Sequence, residues 1–309
     1  MNPILALIIA NIIWGAASPI FKFALQNIPP FTLAFIRFFF AAVLFLPFAI
    51  SRRQTVTQKQ FIEICLGAFF GITINIAFFF LALPKTNSIN APMIASSQPI
   101  FLFILSVLFL KEKPHRKVFF GILISFIGVL VIIVSPLLLN HGTTSIQKEV
   151  AIEGNIFLVI ATLGSVLQAL ITKKVLKDVN HYVVNYIGFL FGSITFIPFM
   201  IPELQKWSFS ALNINGWLGI VFGVFFSSAL AYGLFMYGIS KIDAQEIGIF
   251  SYIDPVIAVL IAIPLLGEYP TPIFFVGSLC IFIGIVVAEG RLHWHPLHKL
   301  RMPYKATVS

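Results

Sequence analysis

Three charged side chains lie inside long apolar stretches of the chain: Lys22, Arg37 and Asp254. A charged group at the centre of a bilayer costs about 2.5–3.5 kcal/mol on insertion scales, so such residues usually face a cavity or a partner. Asp254 directly precedes Pro255, which removes one backbone hydrogen bond from a helix. An acid beside a broken helix could bind a substrate ammonium group, a coupling proton, or only the freed backbone. We favour a functional role for Asp254.

The two basic side chains have structural and functional interpretations. Arg37 lies about 10 Å from the end of its apolar stretch, at about 1.5 Å per helical residue. It could bind a substrate carboxylate, pair with a helix C-terminus or extend to lipid head groups, and we favour a structural role. Lys22 is a similar case, for which a position facing a cavity is more strongly expected.

Polar side chains on one helix face also indicate a cavity. Asn11, Trp14 and Ser18 recur at steps of three and four residues, so they share a face of the first helix that is too polar for lipid. Gln98 precedes Pro99, just as Asp254 precedes Pro255. The remaining cavity candidates are polar residues within apolar stretches: Asn75, Gln168, Ser228, Tyr232 and Tyr252.

The elements that must position these residues follow from composition. Of 309 residues, 59% are hydrophobic and only 10% are charged, which excludes an ordinary soluble protein. Runs of about 20 apolar residues are long enough to cross a membrane. Breaking the chain at its polar interruptions predicts ten spans, at 4–25, 31–50, 61–81, 88–110, 117–139, 152–171, 182–201, 215–239, 245–266 and 272–289. The predicted fold class is an all-α polytopic membrane protein.

Basic residues orient these spans. With the N-terminus inside, 15 of the 20 lysines and arginines fall in inner loops or the C-terminal tail, three in outer loops and two within spans. This asymmetry predicts a multi-pass protein of the inner (plasma) membrane with both termini in the cytoplasm. The net charge of +9 therefore indicates topology and contact with membrane lipid, and no nucleic-acid partner is expected.

An internal repeat divides the chain. Residues 61–135 align without a gap onto 217–291 at an offset of 156, and the first two spans of each half align weakly near an offset of 151. The matches include glycine, proline and glutamate, for example Glu112 on Glu268. Because the unit has five helices, its two copies must cross the membrane in opposite directions, which is an architecture of secondary transporters.

The repeat predicts the domain organisation. A first five-helix repeat occupies 1–139, a connecting loop 140–150, a second repeat 151–290 and a basic cytoplasmic tail 291–309.

These features resemble the EamA-type branch of the drug/metabolite transporter (DMT) superfamily. Five segments carry the resemblance: WGAASPIFK (14–22), FTLAFIRFFFAAVLF (31–45), FFFLALPKTNSINAPMIASSQPIF (78–101), FLKEKP (109–114) and LLGEYP (265–270). The resemblance covers about residues 4 to 289. It implies a ten-helix carrier of small metabolites, often an exporter of amino acids or related compounds, and specifies the mode of action better than the substrate.

The sequence thus predicts a secondary active transporter that exports a small polar metabolite, foremost an amino acid, by alternating access, with proton coupling at Asp254 left open. A carrier or exchanger of a nucleotide-like cofactor or nucleotide sugar is the alternative; a channel or a polytopic membrane enzyme is less favoured. The chain lacks GxxxxGK[ST], HExxH and GxSxG motifs, so neither an enzyme nor a bound cofactor is expected. No metal site is expected, and the sequence does not indicate an oligomeric state.

Overall fold

The computed structural model describes residues 1–98, 101, 116–138, 144–241 and 248–289. Within these ranges the chain is helical and forms no strand, which confirms the predicted all-α class. Two short 3₁₀ segments lie at Phe209–Ala211 and Gly248–Tyr252. The helices, numbered in chain order, are α1 (Pro3–Ala24), α2 (Pro30–Ser51), α3 (Gln58–Ala82), α4 (Asn90–Ala95), α5 (Arg116–Leu138), α6 (Ser145–Val175), α7 (His181–Leu204), α8 (Ile214–Ile239), α9 (Ile253–Leu266) and α10 (Pro272–Glu289).

Most of these helices have the length and composition of membrane spans. In the described ranges, seven are long and apolar enough to cross a bilayer: α1, α2, α3, α5, α6, α7 and α8. Two further apolar helices, Phe250–Leu266 and Pro272–Val287, are shorter and coincide with the last two predicted spans. Only the first part of the predicted span 88–110 is described, and α4 lies in it. The protein is therefore a multi-pass membrane protein.

Helix α6 begins earlier than the hydrophobic pattern predicts. Its first residue is Ser145, inside the segment expected to be a connecting loop. Thr144 accepts a hydrogen bond from the Gln147 backbone, and the Gln147 side chain accepts one from the Thr144 backbone. This capping box satisfies backbone N–H groups at the start of the helix, so a polar segment can begin it.

The many phenylalanines divide between two environments. Several are fully buried where helices meet, including Phe21, Phe38 and Phe196. Others, such as Phe120 and Phe275, are more than half exposed on the outer surface of the bundle. A lipid-facing surface explains the second group, because hydrocarbon tails are as apolar as these side chains.

Close helix pairs hold the bundle together. In the α5–α10 pair, Gly128 lies against the Gly277 carbonyl, and Ser125 Oγ donates a 3.0 Å hydrogen bond to the Ile281 carbonyl. In the α2–α7 pair, Glu203 accepts hydrogen bonds from the Phe31 and Thr32 backbones and from Thr32 Oγ1.

The α2–α7 pair also contains a stack of aromatic rings. The ring of Phe38 lies 5.6 Å from that of Phe189 and 6.5 Å from that of Phe196, and Phe45 lies 5.5 Å from Phe189. Small residues in one pair and aromatic rings in the other therefore give two different kinds of contact. Both replace lipid at the interface with close packing.

The close approach of α5 and α10 predicts the effect of a single methyl group. In Gly128→Ala the new Cβ would lie 2.6 Å from the Gly277 carbonyl oxygen, so the helices must separate. We expect a loss of about 1–3 kcal/mol of stability, measured as a lower midpoint for loss of the monodisperse peak when the detergent-solubilised protein is heated. Gly188→Ala is the matched control, because its Cβ would meet only Ala68 Cβ at 3.6 Å. Equal midpoints for the two variants would contradict the close packing of α5 and α10.

Candidate functional site

A central cavity of about 200 Å³ lies among α1, α2, α3, α4, α6, α8 and α9. Nine of the residues predicted from sequence line it: Asn11, Trp14, Ser18, Arg37, Asn75, Gln98, Gln168, Tyr232 and Asp254. They come from positions far apart in the chain, so the fold brings together residues that the sequence indicates only one helix at a time.

The polar face of α1 forms one wall. Asn11 Nδ2 donates a 2.8 Å hydrogen bond to the Leu7 carbonyl, and Trp14 Nε1 donates a 3.1 Å bond to the Ser227 carbonyl. The Trp14 ring lies 5.1 Å from the Tyr232 ring. Ser18 Oγ is buried and has no hydrogen-bond partner among the described residues. This wall therefore offers the cavity an aromatic ring and an unused hydroxyl group.

Arg37 occupies the interior of the bundle and is only 2% exposed, so extension to lipid head groups is wrong. Its Nε donates to Ser228 Oγ at 2.7 Å and its Nη2 to Ser227 Oγ at 3.0 Å. The guanidinium lies 4.8 Å from the Phe21 ring centre and 4.7 Å from that of Phe38, which stabilises a cation. In the described part of the chain, no carboxylate forms an ion pair with it.

Asp254 places a carboxyl group on another wall of the cavity. It is 9% exposed, and its Oδ1 is buried without a hydrogen-bond partner in the described ranges. It lies in the first turn of α9, directly after the 3₁₀ segment, whereas the predicted span 245–266 would place it well inside an α-helix. Pro255 therefore occupies the first turn too, where the absence of its N–H breaks no α-helical hydrogen bond.

Gly15 determines how near α1 comes to Asp254. A Cβ at position 15 would lie 2.7 Å from the Asp254 carbonyl oxygen and 2.9 Å from its Cα. Only glycine permits this distance, and it holds the polar face of α1 beside the carboxylate. Gly15 was not predicted as a site residue, although its position next to the cavity-facing Trp14 was an available signal.

Polar residues on α3, α4 and α6 complete the cavity. Asn75 Nδ2 donates to the Ala161 carbonyl at 2.7 Å, and Gln98 Nε2 donates to Ser165 Oγ at 3.0 Å. Gln168 packs where a side chain on Gly71 would otherwise lie. Residues 69–74 of α3 and 222–230 of α8 are π-helical, a rare form that often occurs at functional sites.

Some lining residues were missed by sequence reasoning. Ser227 was not predicted as a cavity residue, yet its carbonyl accepts a hydrogen bond from Trp14 and its Oγ accepts one from Arg37. Thr162, Ser165 and Lys173 on α6 also line the cavity. Thr162, Ser165 and Gln168 recur every three residues, and this spacing was the signal that could have identified Thr162 and Ser165.

Three predicted residues lie elsewhere. Ser228 does not line the cavity, but its Oγ accepts a hydrogen bond from Arg37. The Tyr252 ring packs against the Phe282 ring at 5.7 Å. Lys22 lines a second cavity of about 270 Å³ and binds Glu268.

Comparisons with known proteins agree with this architecture. Residues 1–134 and 152–289 match the model of the EamA-like transporter family. The uncharacterized transporter YetK of Bacillus subtilis is 27% identical over 290 residues, covering 93% of this chain and 86% of YetK. A probable amino-acid metabolite efflux pump of Escherichia coli K12 is 24% identical, covering 96% and 97% of the two chains.

A solved crystal structure has the same fold, with a TM-score of 0.63 and 16% identity over 93% of this chain and 95% of its own. The family and these named relatives are transporters, not enzymes. The chain belongs to the EamA-like transporter family.

Proposed function

We propose that this protein is a secondary active carrier that exports a small polar metabolite, an amino acid or a related compound, by alternating access. The observation that carries the proposal is the central cavity, which contains a buried cation and a buried carboxylate that do not pair with each other. The E. coli relative named as an amino-acid metabolite efflux pump supports the same substrate class.

The charges of the cavity match those of an amino acid. Asp254 would accept the ammonium group, and Arg37 would donate to the carboxylate. On α1, Gly15 approaches the backbone of Asp254, and the Phe21 ring lies against the Arg37 guanidinium. These two positions on α1 are six residues apart, or about 9 Å along the helix. Two hydrogen bonds of about 2.8 Å together with the backbone of one amino acid span a similar length. Bound substrate would thus neutralise both buried charges.

Many carriers that work by alternating access are built from two similar halves, and we propose ten spans in two inverted repeats for this chain. The α5–α10 contacts support this proposal because they are reciprocal. Gly128 packs on Gly277, and Gly284 packs on Gly121. At the offset of 156, Gly128 corresponds to Gly284 and Gly277 corresponds to Gly121. Replacing each residue by its equivalent in the other repeat therefore turns the first contact into the second, as expected for a two-fold relation.

The aromatic contacts of α2 and α7 have the same property. At the offset of 151, Phe38 corresponds to Phe189 and Phe45 to Phe196. Phe38 contacts Phe196, and Phe45 contacts Phe189. Each of these contacts becomes the other when its residues are replaced by their equivalents in the second repeat. The two separate blocks that match the family model, 1–134 and 152–289, support repeats at 1–139 and 151–290.

The distribution of basic residues supports an inner-membrane location with both termini in the cytoplasm. In this orientation Lys22 and Glu268 lie at the outer end of the bundle. Lys173 lies toward the inner end, so the central cavity extends to the cytoplasmic side. The partners proposed are the transported solute and the surrounding lipid.

The proposal predicts saturable exchange of amino acids across a membrane. Purified protein in liposomes preloaded with one unlabelled amino acid should accelerate uptake of the same labelled amino acid. A panel of amino acids, nucleotide sugars and nucleotides, scored by stimulation from the opposite side, identifies the substrate class. Stimulation only by nucleotide-type solutes would contradict amino-acid export, and unsaturable ion conductance would contradict a carrier.

Asp254→Asn tests the ammonium site. Removing the charge should raise the KM for amino acids roughly 10- to 100-fold, because a hydrogen bond to a charged group contributes about 1.5–3 kcal/mol. Deaminated analogues with the same carboxylate should lose no affinity. Asp178→Asn, an acid in the α6–α7 turn, is the matched control. Unchanged KM and an unchanged pH profile of transport in Asp254→Asn would refute roles in both substrate and proton binding.

A further inference from the structure

An ion pair joins three separate segments at the outer end of the bundle. Lys22 Nζ lies 2.5 Å from Glu268 Oε1 and also donates a 2.6 Å hydrogen bond to the Thr86 carbonyl. Glu268 Oε2 accepts hydrogen bonds from Ser88 N at 2.7 Å and Ser88 Oγ at 2.6 Å. These contacts, called here the Lys22–Glu268 bridge, tie the end of α1 to the residues after α9 and to the α3–α4 loop.

The bridge lies between two cavities. Lys22 lines the second cavity, whereas its neighbour Phe21 lines the central one. On the other side, Thr86 lines the second cavity and Ala91, one turn after Ser88, lines the central one. A solute passing from the central cavity to the second cavity would therefore have to pass between the segments that the bridge joins.

The chemistry of the bridge suits a contact that breaks and re-forms. The side chains of Lys22 and Glu268 are only 21% and 10% exposed, so water screens their attraction weakly in this conformation. If the segments separate, water can solvate both charges, and a solvated ion pair contributes little. The ion pair is therefore strong while water is excluded from it. Separating it costs less than separating a pair whose charges would remain buried afterwards.

The helices that carry the bridge can bend near it. Pro19 lies within α1, three residues before Lys22, and Pro264 lies within α9, four residues before Glu268. A proline inside a helix removes a backbone hydrogen bond and is a common cause of kinks. The left-handed residue Gly267, with φ of 66°, ends α9 directly before Glu268. Both charged residues thus follow points where the backbone is less tightly held.

We propose that the Lys22–Glu268 bridge, with Thr86 and Ser88, is the outer gate of the carrier, closed in this conformation and broken when the central cavity opens outward. The proposal rests on the proposed function, since a gate has a role only in a protein that transports a solute. It gives Lys22 a role in access and not in substrate binding.

The experiment measures outward access directly, without a substrate. Cys65 and Cys280, the chain's two cysteines, are first replaced by serine in the full-length protein. Ala91→Cys then places one thiol in the central cavity, below the bridge. A membrane-impermeant, charged thiol reagent is added to right-side-out vesicles, and the labelling rate is compared among bridge variants. Addition to inside-out vesicles gives the rate from the other side.

Lys22→Gln and Glu268→Gln should each raise the outside labelling rate about tenfold, since each removes a charged hydrogen-bonding partner from the closed state. The labelling rate of the double variant should be only slightly higher than that of the faster single variant, because both substitutions remove the same interaction. Ser88→Ala, which keeps both charges, should give an intermediate rise and remains informative if a charge variant fails to insert.

Lys85→Gln is the matched control. Lys85 also lines the second cavity and forms an ion pair, with Glu153, but this pair is more exposed and joins α6 to the α3–α4 loop only. Its labelling rate should equal that of the parent protein. Unchanged rates in both bridge variants, or an equal rise in Lys85→Gln, would overturn the gate. Absence of any counterflow by the parent protein would instead overturn the proposed function, so the two failures are distinguishable.

Discussion

Polar groups inside a helix bundle surrounded by lipid must find their partners within the protein, because hydrocarbon offers none. Arg37 meets this constraint with two serine hydroxyls and two aromatic rings. Lys22 meets it with Glu268 and a backbone carbonyl. Of the residues lining the central cavity, Ser18 and Asp254 each have a buried oxygen with no partner in the described ranges. The constraint that orders the bundle therefore also indicates where a polar solute would bind.

The packing of the bundle and the chemistry of its cavity follow different rules. The α5–α10 and α2–α7 contacts are reciprocal between the two proposed repeats, so exchanging the conformations of the halves would preserve them. The cavity charges are not reciprocal: Asp254 corresponds to Gln98, and Arg37 corresponds to Gly188. Symmetric packing suits a carrier that must reach two states of similar energy. In the proposed mechanism, the single pair of Asp254 and Arg37 would form one substrate site.

Much of the site could be predicted because polar residues in lipid-facing sequence are conspicuous. The shared face of Asn11, Trp14 and Ser18 follows from helical spacing, and all three line the cavity. Lys22 was expected to face the cavity because it is a charged residue within an apolar stretch, yet it pairs with Glu268 and lines the second cavity. Its position depends on Glu268, which is 246 residues away and whose contact no local pattern reveals.

The sequence alone determined the membrane environment, the all-α class and several of the polar side chains of the interior, because each follows from local composition and spacing. Only the tertiary structure decided which of these side chains share a cavity and which form hydrogen bonds or ion pairs with each other. Gly15 illustrates the difference: its type was visible, but its function depends on the approach of α9 to within 2.7 Å of a Cβ at that position. Contacts between distant segments depend on how whole helices pack, and packing is a property of the assembled bundle.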